Sequence, residues 1–164
     1  FFAGHETTVN LIGNGSLALL RNPGEAERLR QSPSLLPGAV EELLRFDSPV
    51  QRTGRTVLED VEVGGRALRQ GDRVQVMVGA ANRDPSQFRD PDRLDVTRSN
   101  AAQHLSFAAG IHYCVGAPLA RLEAQLAIGA LLRAAPGLRL ATDRPEWRKT
   151  FVLRGLAALP VAVS

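Results

Sequence analysis

The chain has 164 residues, of which 44% are hydrophobic and 23% charged, as in a soluble globular domain with its own core. No apolar run reaches the length of a membrane span, no signal peptide is recognisable, and a single cysteine excludes an intramolecular disulfide, so we expect a cytoplasmic protein without a membrane partner. The formal charge of +3 comes from arginines scattered among nearly as many carboxylates, which argues against binding nucleic acid.

Three helices are predicted in the first third of the chain. Apolar residues recur with a helical period over residues 2–20, and the turn signal RNPG at positions 21–24 ends this run. A short charged helix follows over residues 24–31. A third helix begins at Pro37, a residue suited to the first helical turn, and ends before Pro49. Since the helical pattern already includes the first residues and no N-cap precedes them, we expect the first helix to continue upstream.

The middle of the chain changes its period. Residues 54–85 alternate short β-rich runs with the turn dipeptides Gly64–Gly65 and Gly71–Asp72, which predicts a small antiparallel sheet. Residues 82–103 follow no sustained period and are rich in proline, aspartate and arginine. We therefore expect an ordered meander that runs over the surface.

The longest helix is predicted over residues 117–134. One stripe of this helix is apolar and consists of Leu119, Leu122, Leu126 and Ala130. Residues 149–163 hold two apolar runs separated by Arg154–Gly155, which predicts a terminal hairpin. Because no repeat or linker interrupts the chain, residues 1–164 are expected to form one α+β unit, mostly helical, with a small antiparallel sheet.

Cys114 lies in a glycine-rich loop immediately before the longest helix. The partial positive charge and the N–H donors of a helix N-terminus favour the thiolate, and Gly110 and Gly116 let the backbone turn tightly and a flat group approach. These features suit a thiolate ligand. Two other interpretations stay open on this ground alone: a small buried hydrophobe, which is the common role of a free cysteine, and a nucleophile paired with His112.

Two pairs of side chains stand out on the predicted helices. Glu6 and Thr7 are adjacent in the apolar segment AGHETT; the ordinary alternatives are a solvated carboxylate and a hydroxyl bonded to the carbonyl one turn earlier. Glu42 and Arg45 lie three residues apart on one helical face, where an exposed ion pair would contribute only about 0.3–0.5 kcal/mol.

These segments together resemble the cytochrome P450 superfamily. The run Phe107-x-x-Gly110-x-His112-x-Cys114-x-Gly116, followed by APLAR, closely resembles the family's heme-binding signature. AGHETT resembles its oxygen-binding groove and EELLR its ExxR element, and all occur in the family's order. Ala108 is a departure, because the family usually has glycine there. The resemblance covers the C-terminal part of a soluble bacterial member, from the second half of the distal helix to the C-terminal hairpin.

The resemblance implies roles for the matched residues. Cys114 would be the axial ligand of a heme b iron, within a cofactor-binding set of Arg55, Phe107, His112, Cys114 and Gly116, in which Arg55 and His112 contact the propionates. The acid and alcohol that deliver protons to dioxygen would be Glu6 and Thr7. The structural cluster would consist of Glu42, Arg45 and Arg93. His104 is expected to be a structural hydrogen-bonding residue.

The function implied is that of a heme-dependent monooxygenase that uses O2 to hydroxylate or epoxidise a lipophilic small molecule. Its electrons would come from a ferredoxin and a ferredoxin reductase, with Arg121 facing that acidic donor. Candidate substrate contacts are Ala3, Val50 and Phe151. One alternative is a truncated remnant that does not retain heme, and another is a peroxide-driven relative that needs no ferredoxin.

Overall fold

The structure is a computed structural model that describes residues 2–163. Its helices are α1 (Phe2–Arg21), α2 (Pro23–Gln31), α3 (Leu36–Phe46), the short α4 (Val78–Ala81) and α5 (Ala117–Ala134). Its strands are β1 (Thr53–Thr56), β2 (Val61–Val63), β3 (Arg66–Leu68), β4 (Arg73–Val76), β5 (Leu138–Leu140) and β6 (Val161–Val163). The predicted α+β class, mostly helical, is confirmed.

Helices α1, α3 and α5 pack against one another around the main core. Small residues set the close approach: an added Cβ at Gly15 of α1 would lie 3.1 Å from Leu43 Cδ1 and 3.3 Å from Ile128 Cδ1. Ala39 of α3 and Ala124 of α5 are fully buried at the same junction. Because the three helix axes come this close, the loop that precedes α5 is held beside α1.

The predicted apolar stripe of α5 does not form the core contact. Leu119, Leu122 and Leu126 are 59%, 53% and 63% exposed, whereas the buried face consists of Ala117, Ala124, Ile128 and Gly129. Both stripes have helical spacing, so periodicity alone did not distinguish them. The small residues face inward because they let α5 approach α1 and α3 closely.

The middle segment forms two separate two-stranded ladders instead of one sheet. Strand β1 pairs antiparallel with β4, with Arg55 opposite Val74, and the β2–β3 hairpin lies between them in the sequence. Gly64 and Gly65 have φ values of +58° and +76°, as a tight two-residue hairpin turn requires. The predicted turn at Gly64–Gly65 is therefore confirmed. The β1–β4 ladder joins the segments on either side of this hairpin.

The prediction of a terminal hairpin within residues 149–163 is wrong. Strand β6 pairs with β5, which follows α5. The bridge Val50–Leu153 joins the tail to the segment before β1, while the antiparallel bridge Trp147–Leu156 lies within the C-terminal segment itself. Within α1, Asn14 Nδ2 donates to the carbonyl of Arg154 at 3.0 Å. The tail therefore contacts the first helix and the strand that follows the last helix.

The meander is anchored in the interior more deeply than a surface segment. Phe88, Leu94 and Val96 are almost completely buried. Beside them, Glu42 and Arg45 are buried to 0% and 1% exposure and share two hydrogen bonds of 2.7 and 2.9 Å. The exposed-pair estimate of stability does not apply to such a buried, bidentate pair.

The third member of this cluster is Arg98, and the prediction of Arg93 is wrong. Arg98 Nε lies 3.1 and 3.0 Å from the two carboxylate oxygens of Glu42, with its side chain 9% exposed. Arg93 is exposed and contributes its carbonyl, which accepts hydrogen bonds from Arg45 and Arg98. The meander turns between the two residues, and only the later one directs its guanidinium inward.

Candidate functional site

The Cys114 thiol faces a cavity of about 400 Å³ whose opposite wall is α1. The α1 side of the wall is formed by Ala3, Gly4, Thr7, Thr8 and Leu11. Further apolar lining comes from Leu44, Val50 and Val78. Cys114 is exposed to this space, so the interpretation as a buried hydrophobe is wrong. A wide apolar slot between a thiol and a helix can admit a large flat group.

The loop that carries Cys114 is held by its own backbone. The N–H of Cys114 donates to the carbonyl of Phe107 at 2.9 Å, and the N–H of Tyr113 donates to the carbonyl of Gly110 at 3.0 Å. Gly110 has φ of +61°, a conformation that favours glycine. Ala108 has φ of +59°, so the position at which this sequence departs from the family pattern has left-handed backbone. The loop thus doubles back before the sulfur.

Gly116 leaves one side of the sulfur open. An added Cβ at Gly116 would lie 3.8 Å from Cys114 Sγ, in van der Waals contact with it. Helix α5 begins at the next residue, so its N-terminal N–H groups lie close to the thiol in sequence. No hydrogen bond within residues 2–163 joins Cys114 to His112, and the structure therefore gives no support to a cysteine–histidine nucleophile.

Two side chains able to bind carboxylates line the same cavity. The guanidinium of Arg55 donates to Thr53 Oγ1 at 2.9 Å and to the carbonyl of Gly54 at 2.7 Å. These bonds hold it against β1, where Arg55 lines the cavity. His112 lines the cavity next to the thiol and is exposed. The donor set therefore combines a soft sulfur ligand with two hydrogen-bonding groups for anionic substituents.

The hydroxyls on the α1 wall are bonded within the helix. Thr7 Oγ1 donates to the carbonyl of Ala3 at 2.7 Å, and Thr8 Oγ1 donates to the carbonyl of Gly4 at 3.0 Å. This is the ordinary back-bond of a helical threonine. Because the proton of Thr7 is engaged, its oxygen meets the cavity as a hydrogen-bond acceptor.

Glu6 lies outside the cavity wall, although it adjoins Thr7 in the sequence. Its carboxylate forms an ion pair of 3.0 Å with Arg148 Nη1 from the C-terminal tail. Successive residues of a helix point about 100° apart, so the two side chains meet different surroundings. Any exchange of protons between Glu6 and the cavity has to begin from this ion pair.

A second ionic cluster, missed at the sequence level, lies behind the thiol loop. Arg121 of α5 binds both carboxylate oxygens of Glu41, at 2.7 and 2.9 Å, and His104 Nε2 lies 3.2 Å from the same carboxylate. Burial alone would raise the pKa of Glu41, but the hydrogen bonds from His104 and Arg121 outweigh it and lower the pKa to about 2. The sequence signal available for this cluster was the second carboxylate of EELLR, Glu41, which directly precedes Glu42.

The three candidate substrate contacts separate in space. Ala3 and Val50 line the cavity. Phe151 is 83% exposed and lies outside it, with the Arg52 guanidinium carbon 5.4 Å from its ring centroid. In the described part of the chain, no helix is both long and apolar enough to cross a membrane.

Comparisons with known proteins point in one direction. A family model described as Cytochrome P450 matches residues 1–134. Cytochrome P450 107B1 of Saccharopolyspora erythraea is 54% identical over 162 residues, which cover 97% of this chain and 40% of that protein.

Two solved structures are similarly close. The tirandamycin C-bound P450 monooxygenase TamI matches with a TM-score of 0.96 at 51% identity, over 100% of this chain and 42% of that chain. P450BioI, in complex with hexadec-9Z-enoic acid ligated acyl carrier protein, matches with a TM-score of 0.95 at 51% identity, over 99% and 42% respectively. The chain thus spans about two fifths of the length of these relatives.

Proposed function

Since this chain belongs to the cytochrome P450 family, we propose that it forms the heme-binding part of a monooxygenase that oxidises a lipophilic small molecule. The observation that carries the proposal is the Cys114 thiol, which faces Thr7 of α1 across an apolar cavity. A heme held by a cysteine thiolate supplies the redox chemistry: one atom of O2 goes to the substrate and the other leaves as water, after uptake of two electrons and two protons.

The residues around the cavity suit a heme b. Cys114, whose thiol lines the cavity, would ligate the iron through its sulfur. Arg55 and His112 would bind the two propionates, because both line the cavity and both side chains can donate hydrogen bonds to carboxylates. Phe107 and Gly116 would hold the loop and leave space beside the sulfur.

Thr7 and Glu6 would manage protons on the α1 side. The Thr7 oxygen can accept a hydrogen bond from a water in the cavity, because its own proton is donated to the carbonyl of Ala3. The side chain of Glu6 contacts Arg148 at 3.0 Å, so it must leave that contact before it can pass a proton inward. Arg148 thereby limits when Glu6 can act.

We propose a lipophilic substrate and a ferredoxin with its reductase as the electron source. The apolar lining that includes Leu11, Val50 and Val78 supports the first. Arg121 is a poor candidate for a ferredoxin contact, because its guanidinium nitrogens bind Glu41 and Tyr113. With its single cysteine kept reduced, the protein would work in the cytoplasm.

Heme reconstitution of the 164-residue chain tests the proposal. We expect uptake of heme and, after reduction under carbon monoxide, a red-shifted Soret band that is lost in Cys114→Ser. If the chain takes up no heme, the alternative of a non-catalytic remnant is favoured for this polypeptide. Turnover with hydrogen peroxide in place of O2 and a reductase would instead favour the peroxide-driven alternative.

A further inference from the structure

One guanidinium contacts the thiol loop, residues 107–116, at two positions. Arg121 Nη1 lies 2.9 Å from the phenolic oxygen of Tyr113, the residue immediately before Cys114. The Arg121 guanidinium carbon also lies 4.6 Å from the ring centroid of Phe107, at the start of the loop. Phe107 is the residue whose carbonyl accepts the hydrogen bond from the Cys114 N–H. Arg121 therefore contacts the loop at two positions that both precede Cys114, and it does not line the cavity.

The orientation of Arg121 is set from the other side by Glu41. The carboxylate of Glu41 binds Nε and one Nη of Arg121 in a bidentate pair, and the Glu41 side chain is only 12% exposed. A bidentate guanidinium–carboxylate pair fixes the plane of the guanidinium as well as its position. Arg121 is consequently held in the one orientation that stacks on Phe107 and reaches Tyr113.

His104 completes the support on the upstream side. Its Nδ1 accepts the N–H of Ser106 at 3.0 Å, so the proton of the neutral ring lies on Nε2, directed toward Glu41. The ring centroid of His104 also lies 5.7 Å from that of Phe107. Glu41 thus links a residue before the loop to a residue after it.

From this geometry, and resting on the proposed thiolate ligation, we propose that Arg121 is a positioning residue for Cys114, oriented by Glu41 and His104. By holding Phe107 and Tyr113 together, Arg121 keeps the Cys114 N–H on the carbonyl of Phe107 and the thiol directed into the cavity. Lysine at position 121 keeps the charge but loses the planar fork and the stacking surface. The proposal therefore distinguishes geometry from charge.

Hydrogen exchange in the 164-residue chain without heme gives the first test. We expect backbone amides of residues 107–116 to exchange about tenfold faster in Arg121→Lys than in the wild type, with α1 unchanged. Arg133→Lys, an exposed position near the other end of α5, is the matched control and should leave the loop unchanged. Equal loop exchange in Arg121→Lys and the wild type would overturn the proposal.

Two further variants keep the test decisive. If Arg121→Lys unfolds the chain, Tyr113→Phe removes only the phenolic contact, and a severalfold local increase in exchange is still expected. In a double-mutant cycle, the effects of Arg121→Lys and Glu41→Gln on loop exchange should be strongly non-additive, because both substitutions break the same Glu41–Arg121 ion pair. Additive effects of the two changes would argue against orientation by Glu41.

The heme-loaded chain supplies a spectroscopic test. We expect the red-shifted carbon monoxide band to be lost about tenfold faster on mild warming in Arg121→Lys than in the wild type or Arg133→Lys. Equal lifetimes would overturn the positioning role while leaving the proposed function intact. A wild type that never gives the band would contradict the proposed function for this chain, while hydrogen exchange would still decide the role of Arg121.

Discussion

Left-handed backbone occurs at two positions of the thiol loop, Ala108 and Gly110. For a residue with a Cβ this region costs about 1–2 kcal/mol, so Ala108 carries strain in the loop that holds the proposed heme ligand. Strain of this kind persists only where the surroundings impose it. Here the fixed contacts of Phe107 and of the Cys114 N–H bracket the strained residue.

Ala108→Gly should relieve this strain. We expect the free energy of unfolding to rise by up to about 1 kcal/mol, because the relief exceeds the entropy that glycine adds to the unfolded chain. Gly110→Ala should lower it by about 1 kcal/mol or more, although a Cβ there would meet no atom within 4 Å. Urea denaturation measures the free energy of unfolding of both variants, which should change in opposite directions. A change in the same direction for both would contradict the prediction.

Glu41 should make stability depend on acid pH. Its pKa falls from an ordinary 4.5 to about 2, so the carboxylate stabilises the fold fully above pH 4.5 and loses that effect as the pH drops toward 2. The lowering corresponds to about 3 kcal/mol at most. We expect Glu41→Gln to reduce unfolding free energy near neutral pH and the gap from wild type to narrow below pH 4.5. A gap independent of pH would contradict this assignment.

At the scale of elements, the buried carboxylate of Glu42 joins α3 to the meander. It accepts hydrogen bonds from Arg45 on its own helix, from Arg98, and from the backbone N–H of Asp95. A buried charge of this kind needs all its partners, because leaving it uncompensated is far more costly than losing an exposed ion pair. The meander, which has almost no regular structure, is therefore held by two buried side chains of α3, Glu42 and Arg45.

Arg98→Ala should destabilise the fold by about 3–5 kcal/mol, because it removes a partner of a fully buried carboxylate. Arg93→Ala is the matched control: its carbonyl contacts survive the substitution, so a change within about 0.5 kcal/mol is expected. Thermal unfolding followed by circular dichroism compares the two. Equal losses for both variants would show that the cluster does not depend on the Arg98 guanidinium.

The helices could be predicted from the sequence more fully than their faces or the strand pairing. Proline, glycine and apolar period are local signals, and they located α5 and ended α1 close to Arg21. The partner of β6 and the buried face of α5 depend on residues far away in the chain. The residues around the thiol could be predicted because they form a motif in the sequence. The contacts of Arg98 and of the Glu41–Arg121 pair could not, because they depend on how the meander and α5 pack against α3.

At the scale of the whole molecule, one face of α5, formed by Leu119, Leu122 and Leu126, stays largely uncovered by the rest of residues 2–163. Leu122 and Leu126 are more than half exposed, and Leu119 continues the same face to the edge of the cavity. Contiguous apolar surface of this kind tends to be covered by another protein surface. In a longer protein of the relatives' size, further chain would be available to cover it.

The isolated 164-residue chain should therefore self-associate through this face. We expect Leu122→Gln with Leu126→Gln to shift the chain toward monomer in analytical ultracentrifugation, while the unfolding midpoint changes little because both side chains are exposed. Leu119 is left unchanged because it lines the cavity. Unaltered association in the double variant would mean that another surface is responsible.

The fastening of the tail to α1 has a consequence for biosynthesis. Asn14 bonds to Arg154 and Glu6 pairs with Arg148, while an added Cβ at Gly155 would collide with the side chain of Asn10. A ribosome adding about 5–20 residues per second makes α1 many seconds before these partners emerge. The polar groups of nascent α1 lack their tail partners until the tail has been made. We therefore expect the cofactor to bind after translation. A chain that terminates before the tail should be removed by quality-control proteases.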